Sequence, residues 1–112
     1  MCTKVQLDNI SQQIAQTYRS VYGNDIVAIY LYGSYAREDY DHESDIDITA
    51  IVKGNRKDLQ NKLKQVWNMS ADIGLENDIV VSPTVIPFDE YEMYKQTLPY
   101  YINIWKEGKQ IG

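Results

Sequence analysis

The chain has only one cysteine, three prolines and one phenylalanine among its 112 residues. A single cysteine cannot form an internal disulfide, and Cys2 lies beside a chain terminus, so we assign the thiol no role. The longest apolar run, Ile26 to Tyr32, is far too short to span a bilayer, and the first residues lack a signal-peptide core. These absences favour a cytoplasmic protein without a membrane segment.

Positive charge is also scarce, with 11 lysines and arginines against 16 aspartates and glutamates. The one basic cluster, between Lys53 and Lys64, is diluted by Asp58, whereas binding to long nucleic acid needs a strongly basic surface. A length of 112 residues with 44% hydrophobic side chains is typical of one compact domain. We therefore expect a single domain, residues 1–112, that does not bind long nucleic acid.

Hydrophobic spacing in the first half predicts a helix followed by two strands. Apolar side chains recur every three or four residues from Lys4 to Tyr22, and Gly23 follows as a helix end. The β-branched and aromatic run Ile26 to Tyr32 predicts a buried strand. Polar and apolar residues then alternate from Asp45 to Val52, which predicts a second strand.

The second half predicts one more strand between helices. A helical stripe that includes Leu59 follows the turn at Gly54 and is expected to end before or at Gly74. Ile79 to Ile86 predicts the third strand, and Pro99 divides the tail into two short helices. We expect an α/β fold with a small mixed sheet, helices on one face and a functional site on the open face.

Residues with clear chemical roles concentrate in the segment GSYAREDYDHESDID, residues 33–47. A strand that ends in Gly33 and Ser34 and turns into a short helix presents backbone N–H groups and a hydroxyl to phosphate oxygens. Arg37 lies one helical turn later and could grip the same phosphates. Asp45 and Asp47 then project from the same face of the second strand.

Two neighbouring carboxylates repel each other, and a bound divalent cation removes that penalty. An isolated Asp-x-Asp is more often only a solvated strand surface, but its combination with the Gly-Ser turn favours magnesium bridging a triphosphate. Calcium is a poorer fit. Asp39, Asp41 and Glu43 resemble the first ligands of an EF-hand loop, yet Ser44 and Ala50 lie where that loop needs glycine and glutamate.

This order of strand, Gly33-Ser34, about ten residues, then Ser44-Asp45-Ile46-Asp47 on the next strand resembles the DNA polymerase β-like nucleotidyltransferases. The resemblance implies that the Gly-Ser pair and Ser44 contact the triphosphate of ATP. It also implies two magnesium ions bound by Asp45 and Asp47. Family members use a third carboxylate on a neighbouring strand, which shares a metal ion and activates the attacking hydroxyl.

Asp78, at the start of the predicted third strand, matches that third carboxylate by position. Asp72 and Glu76 are rivals, but we expect them on the preceding helix and in the connecting loop. Glu38 lies where the family most often has glycine after the arginine, a departure that spares every proposed ligand.

The short length and the segments GSYAR, SDIDI and LPYYINIWKEG resemble the minimal nucleotidyltransferases more closely, which are usually encoded beside a helical HEPN protein. This implies an antitoxin that transfers AMP from ATP to a tyrosine of its HEPN toxin partner and so silences the RNase activity of the toxin. Two alternatives stay open: an enzyme of the aminoglycoside-resistance kind with a small-molecule acceptor, and a binding protein that neutralises its partner by contact alone. The acceptor, the preferred base and the oligomeric state stay undecided.

Some further features are more simply structural. His42 is expected to be a solvated loop histidine, whereas Tyr35 and Tyr40 flank the loop and could touch the substrate. A stripe in the tail is expected to cover the sheet, and any exposed part of it would indicate a protein partner; it consists of Leu98, Tyr101, Ile102 and Trp105.

Overall fold

A computed structural model describes residues 3–41 and 44–112, so Cys2, His42 and Glu43 lie outside it. It contains one mixed four-stranded sheet in the order β3-β2-β1-β4. β1 pairs antiparallel with β2 and β4, while β2 pairs parallel with β3. The α/β class and the mixed sheet are thus confirmed, with a short fourth strand that was not predicted. The strands are β1 (Ile26–Tyr32), β2 (Ile46–Val52), β3 (Val81–Pro87) and β4 (Lys109–Gln110).

Five α-helices accompany the sheet in the described residues: α1 (Lys4–Tyr22), α2 (Ser34–Arg37), α3 (Arg56–Asn77), α4 (Phe88–Tyr94) and α5 (Pro99–Glu107). Thr3 and Asn55 cap α1 and α3, each side chain accepting a hydrogen bond from a backbone N–H in the first turn. In the described part of the chain, no helix has the length and apolar character that crossing a bilayer requires.

Helix α3 extends three residues beyond Gly74, so the prediction that it ends there is wrong. A side chain at Gly74 would overlap the backbone carbonyl of Ile79. The glycine is therefore needed because the chain leaving α3 folds back against the helix, which ends only at Asn77, with Asp78 as its cap. Sequence spacing does not distinguish a glycine of this kind from one that ends a helix.

The strands alternate between two apolar layers. Ile46, Ile48, Ala50 and Val52 of β2 pack with α1 and α3, while Ile51 faces the opposite way and packs with Tyr91 of α4 and Ile104 of α5. Helices therefore cover both faces of the sheet, and the expectation of helices on one face is wrong for α4 and α5. Near the start of β2, Asp47 and its β3 neighbour Ser82 are only partly buried on this second face.

Tyr18 of α1 ties the helical layer to the sheet. Its ring is fully buried, and its hydroxyl lies 3.2 Å from the carbonyl oxygen of Ile48 and 2.7 Å from that of Thr84, to which it donates. The hydroxyl thus joins α1 to both β2 and β3.

We expect Tyr18→Phe to lower the free energy of unfolding by about 1–3 kcal/mol, because it removes a donor from buried carbonyl oxygens. Chemical denaturation measures this loss. Tyr94→Phe, at an exposed tyrosine, is the control and should change the stability much less. Equal effects of the two variants would contradict a structural role for the Tyr18 hydroxyl.

Candidate active site

The end of β1 lies directly against the start of β2. Tyr32 is paired with Asp47 in the antiparallel register, and α2 begins two residues after Tyr32. Gly33, between them, has φ 74° and ψ −155°, a region that side chains make costly. A Cβ atom at Gly33 would overlap Oδ2 of Asp47. The carboxylate of Asp47 therefore packs against the bare backbone that leads into α2, and only glycine permits this approach.

Asp45 and Asp47 lie at the start of β2, close enough for the charge of Asp45 to act on Asp47. Their projection from one face follows from strand alternation and stays a prediction. Asp45 is exposed just before β2, whereas Asp47 is half-buried within it. Burial, together with the negative charge of Asp45, raises the pKa of Asp47, while the positive charge of Arg37 acts in the opposite direction. The folded chain thus holds a half-buried carboxylate beside an exposed one, and a bound cation would relieve the repulsion between them.

This donor set fits Mg²⁺, which proteins often bind through one or two carboxylates while substrate phosphates and water fill the other positions. Within residues 3–41 and 44–112, no three acidic, histidine or cysteine side chains converge as a metal site.

Arg37 projects from the end of α2 toward two carboxylates. Its Nε lies 3.2 Å from Asp39 Oδ2, and its Nη1 lies 3.6 Å from Glu107 Oε2 on α5. The hydrogen bond to Asp39 is the main cause that raises the pKa of Arg37. Its side chain is 43% exposed, so these ion pairs are weak enough to be exchanged for phosphate contacts. The phosphate contact itself stays a prediction.

Ser44 and Glu38 both organise the loop between α2 and β2. The Ser44 hydroxyl accepts from the Asp41 N–H at 2.9 Å and donates to Asp41 Oδ1 at 3.3 Å. Glu38 caps α2 in the left-handed conformation, φ 65°, where glycine is most comfortable. Its carboxylate accepts from Lys109 Nζ at 3.4 Å. The ion pair with β4 gives this glutamate a structural role, and the predicted nucleotide contact of Ser44 stays a prediction.

Asp78 is not on β3, and that part of the prediction is wrong. It is the exposed cap of α3 with φ 54°, three residues before the strand begins at Val81. The β3 residue that pairs with Asp47 is Ser82. The rivals Asp72 and Glu76 both lie on α3. The structure therefore brings Asp45 and Asp47 together and leaves the role of Asp78 as a third ligand untested.

A cluster of three side-chain hydroxyl groups lies beside Asp47 and was not predicted from the sequence. The Tyr100 hydroxyl lies 3.1 Å from the Tyr32 hydroxyl and 3.1 Å from Thr84 Oγ1. Burial is the main cause that raises the pKa of Tyr32. The strand alternation placed Tyr32 and Thr84 on one face, but only the packing of α5 brings Tyr100 to them.

Tyr35 and Tyr40 pack in the layer formed with α1 and α3, on the opposite face of the sheet from Asp47. Their rings stack at 4.3 Å with an angle of 11°, and Tyr35 is fully buried in the core. Both line a cleft of about 700 Å³ between α1 and β4. This cleft is therefore separate from Asp45 and Asp47, neither of which lines it. Substrate contact is contradicted for the buried Tyr35 and stays a prediction for Tyr40.

The tail stripe is only partly core. Ile104, which was not in the predicted stripe, is the fully buried residue of α5, with Tyr101 half-buried beside it. Leu98 and Trp105 are 43% and 44% exposed. The exposed part has the character that indicates a partner surface.

Comparison with known proteins identifies the family of this chain. The polymerase beta nucleotidyltransferase family matches residues 12–110. The chain belongs to this family. It is therefore a nucleotidyltransferase, with Gly33, Asp45 and Asp47 inside the matched range.

Two relatives come from Methanocaldococcus jannaschii. The chain is 29% identical over 94 residues to "Putative protein adenylyltransferase MJ0141", covering 84% of this chain and 85% of that protein. It is 29% identical over 80 residues to "Putative protein adenylyltransferase MJ1305", covering 71% of this chain. In the second case the match spans only 54% of the relative.

Solved structures with the same fold include two toxin–antitoxin complexes. One was solved with AMP-PNP and gives a TM-score of 0.54 at 18% identity, covering 89% of this chain and 70% of that chain. The other, a mutant of the pair MntA-HpeT, gives a TM-score of 0.55 at 16% identity with the same coverage. These likenesses establish the fold.

For this nucleotidyltransferase, we expect Gly33→Ala to abolish transfer, because the new methyl group must displace the Asp47 carboxylate. Gly23→Ala is the matched control: Gly23 also has positive φ, 61°, but nothing lies within 4 Å of its Cβ position. Both variants should lose about 1–3 kcal/mol of stability from backbone strain. Only Gly33→Ala should lose the activity, measured by pyrophosphate release. Comparable activity in the two variants would contradict the proposed contact.

We also expect Asp47→Asn to raise the melting temperature of the ligand-free protein at neutral pH. Because the pKa of Asp47 is raised by folding, the folded state binds the proton more tightly, and stability falls as pH rises from the unfolded pKa through the folded one. The gain should therefore vanish below the unfolded pKa, where the carboxyl is protonated in both states.

Calorimetry across this pH range measures the effect. The control is Asp72→Asn at an exposed carboxylate of α3, which should show a much smaller gain. A gain for Asp47→Asn that persists unchanged in acid would show that charge is not its cause.

Proposed function

We propose that this enzyme transfers AMP from ATP to a tyrosine hydroxyl of a HEPN-type toxin, with magnesium as its cofactor, and so acts as an antitoxin. The observation that carries the proposal is the carboxylate of Asp47, packed against Gly33 at the start of α2 with Asp45 close by. The names of the two archaeal relatives support a protein acceptor, and the toxin–antitoxin complexes of similar fold support a toxin as that protein.

The proposed roles of the site residues follow from their charges. Gly33 and Ser34, at the start of α2, and Arg37 would bind the triphosphate, while Asp45 and Asp47 would hold the magnesium ions. When bound, magnesium neutralises phosphate charge and favours ionisation of the attacking hydroxyl. The tyrosine oxygen forms a bond to the α-phosphorus, and the bond from that phosphorus to the pyrophosphate oxygen breaks. The tyrosine proton leaves, with Asp78 as the predicted base.

The acceptor would enter over the open part of the second face, beside Ser82 and Thr84 of β3. Because the surface here is open to solvent, a partner could present its tyrosine to the carboxylates directly. The exposed apolar side chains of Leu98 and Trp105 provide a surface suited to holding such a partner in a hetero-oligomer.

A contact-only antitoxin is the second candidate. The observation in its favour is that only two carboxylates converge among the described residues, one fewer than the resemblance implies. Such a protein would bind the toxin tightly and leave it unmodified.

The deciding experiment is intact-mass analysis of the proposed HEPN-type partner, after incubation with this chain, ATP and magnesium. We expect the partner to gain AMP with the wild type and with Asp72→Asn, and to gain none with Asp47→Asn or with a chelator. An unmodified partner in a stable complex would establish the contact-only function instead. Modification of an aminoglycoside but not of the partner would establish the small-molecule alternative.

Asp78→Asn in the same assay tests the third carboxylate. A loss as complete as that of Asp47→Asn would support the predicted role as metal ligand and base. A rate close to that of the wild type would show that the two carboxylates of β2 suffice.

A further inference from the structure

The hydroxyl of Tyr100, in the first turn of α5, lies over the second face of the sheet. It is 3.1 Å from the Tyr32 hydroxyl on β1 and 3.1 Å from Thr84 Oγ1 on β3. In the sheet, β2 runs between these two strands. Because the Tyr100 hydroxyl contacts a side chain from each side of β2, it lies over β2 itself.

The strand registers give the position of this hydroxyl along β2. Tyr32 is paired with Asp47, and Thr84 is paired with Thr49, the next residue of β2 on the same face. The Tyr100 hydroxyl therefore lies over the stretch of β2 between Asp47 and Thr49. Burial is the main cause that raises the pKa of Tyr32, and the negative charge of Asp47 adds to it, so the carboxylate is within electrostatic reach of this cluster.

Tyr100 is the accessible tyrosine beside the carboxylate. It is 40% exposed, whereas Tyr32 is half-buried with a raised pKa, which makes its phenol a poorer nucleophile. The hydroxyl of the next residue, Tyr101, interacts with Arg56 and Glu90 instead. Of these three tyrosines, only Tyr100 combines an exposed ring with a hydroxyl over β2.

We propose that, when no acceptor protein is present, the enzyme transfers AMP from ATP to its own Tyr100. This rests on the proposed function, which supplies the transfer of AMP to a tyrosine. The Tyr100 oxygen forms a bond to the α-phosphorus, the bond from that phosphorus to the pyrophosphate oxygen breaks, and pyrophosphate leaves with the electron pair. The hydroxyl proton passes to water. The AMP would then cover the surface beside Thr84 where the tyrosine of a partner would enter.

The test incubates the purified chain with ATP and magnesium, without a partner, and measures its intact mass. We expect the wild type to gain AMP and Asp47→Asn to gain none. Trypsin then locates the modification in the wild type itself. Cleavage after Lys95 and Lys106 releases the peptide 96–106, in which fragmentation distinguishes Tyr100 from Tyr101.

Two variants and a mixture sharpen the assignment. Tyr100→Phe should gain no AMP, whereas Tyr101→Phe, the matched substitution at the next residue, should gain it as the wild type does. Because the Tyr100 hydroxyl lies over β2 of its own chain, the transfer should occur within one chain. In a mixture of wild type with an affinity-tagged Asp47→Asn chain, only the wild type should therefore be modified.

The outcomes separate this inference from the proposed function. AMP on the partner but never on this chain would overturn self-modification and leave the proposed function standing. AMP on a residue other than Tyr100, or on the tagged Asp47→Asn chain in the mixture, would also overturn the inference. AMP on neither protein would overturn both.

Discussion

The contact between Gly33 and Asp47 is the constraint on which the site depends. It joins the residue after β1 to the start of β2, and it exists because the register pairs Tyr32 with Asp47. The same contact sets where α2 begins relative to the carboxylates. The backbone proposed to bind phosphate and the carboxylate proposed to bind metal therefore belong to one junction between β1, α2 and β2.

This junction fixes the position of the Asp47 carboxylate at a cost to the stability of the ligand-free protein. Asp47 is half-buried and close to Asp45, and both conditions disfavour its charged form. Under the proposed function, a bound cation would reverse that balance, and relief of the repulsion would contribute to the affinity for metal and nucleotide. The fold tolerates the cost because the opposite face is well packed by α1 and α3.

Helix α5 connects this junction to the rest of the second face. Ile104 anchors it on the sheet, Tyr100 contacts the hydroxyl groups beside Asp47, and Glu107 holds Arg37. Under the proposed function, Arg37 would exchange Glu107 for phosphate, and nucleotide binding would then be coupled to α5 through this one exposed ion pair.

The sequence by itself determined the features that depend on residues close together in the chain. Strand alternation placed Asp45 and Asp47 on one face, and the Gly33-Ser34 turn predicted the helix start beside them, because each depends only on local backbone geometry. Most helix and strand positions followed for the same reason.

Tertiary structure alone decided which residues from elsewhere reach that segment. Asp78 caps α3 instead of lying on β3, because the helix continues past Gly74. That glycine packs against Ile79 and does not end the helix. The parallel register of β2 and β3 placed Ser82 beside Asp47, and the packing of α5 brought the Tyr100 hydroxyl to those of Tyr32 and Thr84. Register and packing depend on contacts between residues far apart in the chain, and the local spacing of residues carries no information about them.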